Sequence, residues 1–286
     1  MANFGKTLVL KSFYLVWLAV GLSSAASCQQ QHATATQADS YTPLFTDQQL
    51  TERLEKMTRR PKDSLAQFFR EWHEAIPPHS PAFINSNDTI RAVYELYRAF
   101  YRPLQLTQLG NWEWGNKLNE KAEYVIVGTA ISYTCTGKGT LNTDDYGRGN
   151  GRNSDPIQTI ADFRPPVNVD SSKVLYLAAE YENALNAFLG SKSTGVGERS
   201  IMDPSFPAGE SEQRYALLRP YIPILHGHWG GYWHLNTHPD VSMIYFNRSL
   251  TQAVIDFRVG YQGGIALFHK EGGEWKLGKS GATWIE

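Results

Sequence analysis

The chain has 286 residues, 42% of them hydrophobic and 13% aromatic, with a formal net charge of −1. That length and apolar content support a sizeable core and exclude a disordered chain. The near-neutral charge, with no run of Lys or Arg, excludes long-range attraction for nucleic acid or acidic surfaces.

The N-terminus carries an export pattern. Lys6 and Lys11 precede the apolar stretch Phe13 to Leu22, and Ser23-Ser24-Ala25-Ala26-Ser27 follows. Positive, apolar, then small is the order of a secretory signal. An apolar run of about ten residues is too short for a membrane span of roughly 20. Residues 1–27 are therefore expected to be a signal peptide. Without Lys6 and Lys11 the remaining chain carries −3.

Ala25-Ala26-Ser27-Cys28 resembles the lipobox of bacterial lipoproteins. The resemblance implies a cell-envelope protein, periplasm-facing or on the surface, held in a lipid bilayer by acyl chains of the palmitate type on Cys28. The family usually has Leu where Ala25 stands. Cleavage by ordinary signal peptidase, giving a secreted protein, is the alternative. Residues 29–40 are small, polar and nearly uncharged, so 28–44 reads as a flexible tether.

The chain has two cysteines, Cys28 and Cys135, too few for a disulfide-built scaffold. If Cys28 carries lipid, Cys135 is a lone thiol. If Cys28 is free, one bridge between them is open. The preferred reading of Cys135 is a small buried apolar residue.

Residues 45–286 read as a single α+β domain. Thr46 and Gln49 have capping-box spacing ahead of Leu50, Leu54 and Met57. Pro61 breaks that helix. Asp63 or Ser64 can cap a second, with Leu65, Phe68, Phe69, Trp72 and Ile76 on one face, closed by Pro77-Pro78. A third is expected from Asn87 or Asp88, carrying Ile90, Val93, Tyr94, Tyr97 and Tyr101. Residues 124–134 are rich in β-branched and aromatic side chains and predict a strand. Residues 136–156 are a polar turn region. Ser171 or Ser172 is expected to cap a helix over Val174, Leu177, Ala178, Tyr181, Leu185 and Phe188, stopped by Gly190. Residues 190–211 are loop-like, and a short helix is expected over 211–219.

Residues 241–286 predict a C-terminal antiparallel β-meander of four strands, 241–247, 252–260, 263–270 and 274–280, with hairpin-length links. In the second, Ala253, Ile255, Phe257 and Val259 share one face, and Gln252, Val254, Asp256 and Arg258 the other. Helices first and a meander last, ending in Gly273-Glu274-Trp275-Lys276-Leu277, resemble the cone fold of the nuclear-transport-factor-like superfamily. That superfamily hosts enzymes and binding modules alike, so the resemblance implies a fold and no function.

The densest chemistry lies at 226–240, which holds four of the eight histidines: His226, His228, His234 and His238. Imidazoles with a carboxylate such as Asp240 suit zinc, although no H-e-x-x-H-type spacing is present. The bland reading is histidines bonded within a Gly- and Trp-rich turn. Trp229, Tyr232 and Trp233 beside three glycines suggest an aromatic platform for a glycan or flat small molecule. Against it, Trp and Tyr usually bury most of their surface. Asp256 and Arg258, with His269 on the next strand, are candidate ligand-binding residues in a cavity, or else a solvated face. The Asn- and Asp-rich loop 142–155 lacks calcium-loop spacing and reads as surface.

These patterns predict an exported, lipid-anchored binding module with no cofactor and no complete catalytic constellation. The alternative is a hydrolase using the 226–240 histidines, with or without zinc.

Overall fold

A computed structural model describes residues 40–59, 61–112, 115–146, 155–170, 172–190, 209–227 and 232–285. The expected signal peptide at 1–27, Cys28, His228 and Trp229 lie outside the described residues, as does part of the 136–156 loop.

Four helices come first: α1 (Asp47–Met57), α2 (Pro61–Ala75), α3 (Pro81–Ile84) and α4 (Asp88–Phe100). Thr46 caps α1 with a complete capping box, in which Thr46 accepts from the Gln49 backbone and Gln49 reaches back. Asn87 caps α4 by accepting from Ile90 N. Leu65, Phe68, Phe69, Trp72 and Ile76 are all buried, as their spacing requires. Pro61 opens α2, since a first-turn proline forfeits no helical hydrogen bond. No helix among the described residues is long and apolar enough to cross a membrane.

The strands are β1 (Tyr124–Gly128), β2 (Ile131–Thr136), β3 (Gln158–Ile160) and β4 (Lys173–Leu177). After α5 (Ala179–Leu189) and α6 (Glu210–Leu218) come β5 (Leu225–His226), β6 (Trp233–His234), β7 (Asp240–Asn247), β8 (Gln252–Val259), β9 (Gln262–Glu271) and β10 (Glu274–Ile285). The fold is α+β, and β7–β10 form the expected antiparallel meander. The sheet extends to six strands in the order β10-β9-β8-β7-β2-β3, with β2 parallel to β7.

Two expectations are corrected. Residues 124–134 are two strands in different sheets. The chain turns after Gly128, where an added Cβ would lie 3.2 Å from the Asn236 side chain. The helix expected from Ser172 is instead a strand followed by a helix. Lys173–Leu177 pairs in parallel with β1, and only from Ala179 does the chain coil. Val174 to Leu177 is an unbroken apolar run, as in strands covered on both faces. Gly190 ends α5 in the left-handed conformation, φ 78°.

The core lies between the helices and the inner face of the large sheet. Trp72 stacks on Tyr181 at 4.3 Å between ring centroids and donates to Tyr176 O. Phe100 packs against Phe257 and Phe268. Ala253, Ile255, Phe257 and Val259 all face this core. On the outer face Val254 and Ile265 pack with Leu141 and Tyr146 in a smaller apolar cluster.

Candidate functional site

The 226–240 segment folds as a hairpin followed by an extended strap. Leu225 pairs with His234 and His226 with Trp233. Gly227 N donates to Tyr232 O at 2.7 Å, and an added Cβ on Gly227 would stand 2.9 Å from the Tyr232 ring. Trp233 is buried, its ring 5.0 Å from both Tyr215 and His226. It is part of the core and offers no open stacking face. Tyr232 lies edge-on to His234. The His226 ring is exposed, and its carbonyl accepts from Tyr261.

The strap then crosses from the small parallel sheet to the large one. Thr237 N donates to Ile126 O, and Ile126 N donates back to Thr237 Oγ1, both at 2.8 Å. Asn119 Nδ2 donates to His238 O, and Tyr101 donates to Thr237 O. His238 Nδ1 lies 3.1 Å from Arg258 O on β8. The His238–Pro239 bond is cis. Asn236 Nδ2 donates to Asp240 Oδ1 at 3.1 Å, and Asp240 sits opposite Arg258 in the β7–β8 register.

Burial sets the charge states here. His238 is 2% exposed, and desolvation lowers its pKa to about 4. The ring is therefore neutral near pH 7, with its Nδ1–H donated to Arg258 O. Desolvation raises Asp240 to about 6, against the Asn236 hydrogen bond and the Arg258 charge. Burial pushes Tyr97 and Tyr101 up, reinforced by Asp240 for Tyr101 and by Tyr101 and then Asp240 for Tyr97. Asn236 Oδ1 and His238 Nε2 are buried acceptors with no hydrogen-bond partner among the described residues.

The His234 and His238 ring centroids are 6.0 Å apart. Among the described residues no three His, Cys, Asp or Glu side chains are grouped so as to hold a metal ion.

Asp256, Arg258 and His269 share the outer sheet face but do not meet. Asp256 is opposite Ile265, Arg258 opposite Gly263 and His269 opposite Gln252. Four rungs along β9 separate His269 from Ile265, roughly 13 Å. His269 contacts Glu271 at 2.9 Å instead. Burial raises Asp256. The Arg258 guanidinium lies 5.5 Å from the centre of the Trp284 ring, and its Nε donates to Gly260 O.

A second polar cluster was not singled out in the sequence. Buried His79 bonds Tyr94 through Nδ1 at 2.6 Å, and its Nε2 lies 3.5 Å from Asp162. At 3.5 Å this is longer than a normal hydrogen bond. Arg164 forks onto both Asp162 oxygens at 2.8 and 3.0 Å and donates to Pro77 O. Burial works to raise the Asp162 carboxyl, but His79 and Arg164 outweigh it and hold it low. His79 and Tyr94 are sealed in the core, so the network fastens the Pro77 turn to the 162–165 loop. Its four members are scattered along the chain, and only the neighbouring prolines, 77–78 and 165–166, hint at it.

Cys135 is buried on β2, as expected, but it is not a lone thiol: it is disulfide-bonded. No family model, no curated protein and no solved structure matches the chain.

Proposed function

We propose that the protein is an exported cell-envelope protein whose folded body binds a small ligand or a partner and performs no reaction. The observation that carries export is the order of Lys6 and Lys11, the apolar run 13–22 and the small residues 23–27. The disulfide at Cys135 agrees with it, since such bonds persist in oxidising compartments.

The strap supports the binding half. Asn236 Oδ1 and His238 Nε2 are acceptors that nothing among the described residues satisfies. Each such buried atom costs about 1–3 kcal/mol, so it persists where something offsets it. Acceptors call for a ligand rich in N–H or O–H donors, and glycan hydroxyls fit that chemistry. Both atoms are closed to solvent, so entry requires the strap to shift. The strap's own hydroxyl, on Thr237, accepts from Ile126 N and so ties the strap to β1.

A glycan panel on the mature protein tests this reading. Binding that is lost in Asn236→Ala supports it, and no binding to any member removes glycans as the ligand class. The alternative hydrolase would draw its zinc ligands from His226, His228, His234 and His238. Stoichiometric zinc in the purified protein, lost in a His226→Ala/His228→Ala double variant, would replace the non-catalytic reading. Anchoring through Cys28 needs the sulfur that a bridge to Cys135 would also need.

A further inference from the structure

We propose that Cys28 is the disulfide partner of Cys135, so that its sulfur carries no lipid and the exported protein is released in soluble form. The inference rests on the export reading. Cys135 is disulfide-bonded and no described cysteine is free. The chain holds one other cysteine, Cys28.

Burial argues against a partner from outside. Cys135 is 4% exposed on a strand flanked by β7 and β3. Its sulfur faces the core with Tyr133, Ile244 and Phe246, so Cys135 of a second copy cannot reach it. A segment of the same chain can be laid in place as the body folds. Cys28 lies twelve positions before Ser40, the first described residue. Extended, they span roughly 40 Å. A body of this size has a radius of gyration of about 18 Å, so the tether is long enough.

The export motif points the same way. Ala25 stands where lipoproteins usually carry Leu, which weakens the lipidation match and leaves the ordinary cleavage match intact. Thioether and disulfide are exclusive fates of one sulfur. The bridge forms by exchange with a disulfide-bearing oxidant of the export compartment. The Cys28 thiolate attacks the oxidant's disulfide and releases one of its sulfurs as a thiol. The Cys135 thiolate then displaces the second sulfur from the mixed disulfide. Two electrons and two protons pass from the cysteine pair to the oxidant, which leaves as a dithiol.

The test uses the full chain, expressed in an exporting bacterium, with intact mass and non-reducing peptide mapping. The expected result is a chain lacking residues 1–27, with the Cys28 and Cys135 peptides linked and separable by reductant. Detergent phase separation should leave that chain in the aqueous phase. A diacylglyceryl adduct on Cys28 with an alkylatable Cys135 would overturn the bridge and leave export standing. Two free thiols, or a covalent dimer, would overturn it equally. A cytoplasmic chain that keeps residues 1–27 would overturn the export reading itself. Cys28→Ser, which alters no core residue, should make Cys135 alkylatable after unfolding. If Cys135 stays blocked in that variant, its partner is not Cys28.

Discussion

His238 and Asp240 stand two positions apart and are pushed in opposite directions by one cause, burial. For His238 the folded state resists protonation, so stability is lost as pH falls from about 6.5 toward 4. For Asp240 the folded state resists ionisation, so stability present in acid is lost as pH rises from about 4 through 6. Between pH 4 and 6.5 the two slopes oppose, and the natural chain should show little net change from this pair. Asp240→Asn removes one slope. Urea denaturation of that variant should show stability falling on acidification from pH 6.5 to 4, by up to about 3 kcal/mol for the His238 shift. His238→Gln should show the reverse, a loss as pH rises from 4 to 6. Thr237→Val keeps the side-chain shape but strands the Ile126 N–H, and should cost about 1–3 kcal/mol in the same measurement. The sequence singled out His238, Asp240 and Arg258 but not this arrangement. The groups that hold the strap, Ile126 and Tyr101 on Thr237 and Asn119 on His238, lie more than a hundred positions away in the chain.

Among the elements, the legible ones are those whose signals are local. Thr46 and Asn87 lie next to the helices they cap, and their side chains bond within three residues. Thr46→Ala should lower stability by about 1 kcal/mol, read as a shifted denaturation midpoint. The meander was legible for the same reason, since its strands pair with sequence neighbours through short turns. The β1–β4 pair was not. Its members are joined by parallel pairing across some fifty residues, and Val174 to Leu177 alone suits a helix or a buried strand. Trp72 shows what that hidden pairing does for packing. Its indole stacks on Tyr181 of α5 and bonds to Tyr176 of β4, so it joins helix, strand and helix. Trp72→Ala should cost about 3–5 kcal/mol by chemical denaturation. Trp72→Phe should cost less, since it keeps most of the volume and loses the indole hydrogen bond.

For the whole molecule, the strap and the proposed Cys28–Cys135 bridge both act over long chain distances. The strap bonds β1 on one side and β8 on the other, so it couples the small sheet to the large one. A bridge closing a loop of about a hundred residues stabilises by about 4–5 kcal/mol through lost chain entropy. Reductant should therefore lower the melting temperature of the natural chain and leave a Cys28→Ser variant unmoved. At the margin of the six-stranded sheet lies β10, twelve residues long. Leu277, Trp284 and Ile285 on it are exposed, as are Lys276 and Lys279. Such a margin is a template on which a second chain can zip up, and flanking lysine charge is a common guard against that. Since Lys276 already leans on Glu274, Lys279 supplies the repulsion between colliding copies. Resistance of this margin to edge-to-edge association thus hangs on a single lysine charge.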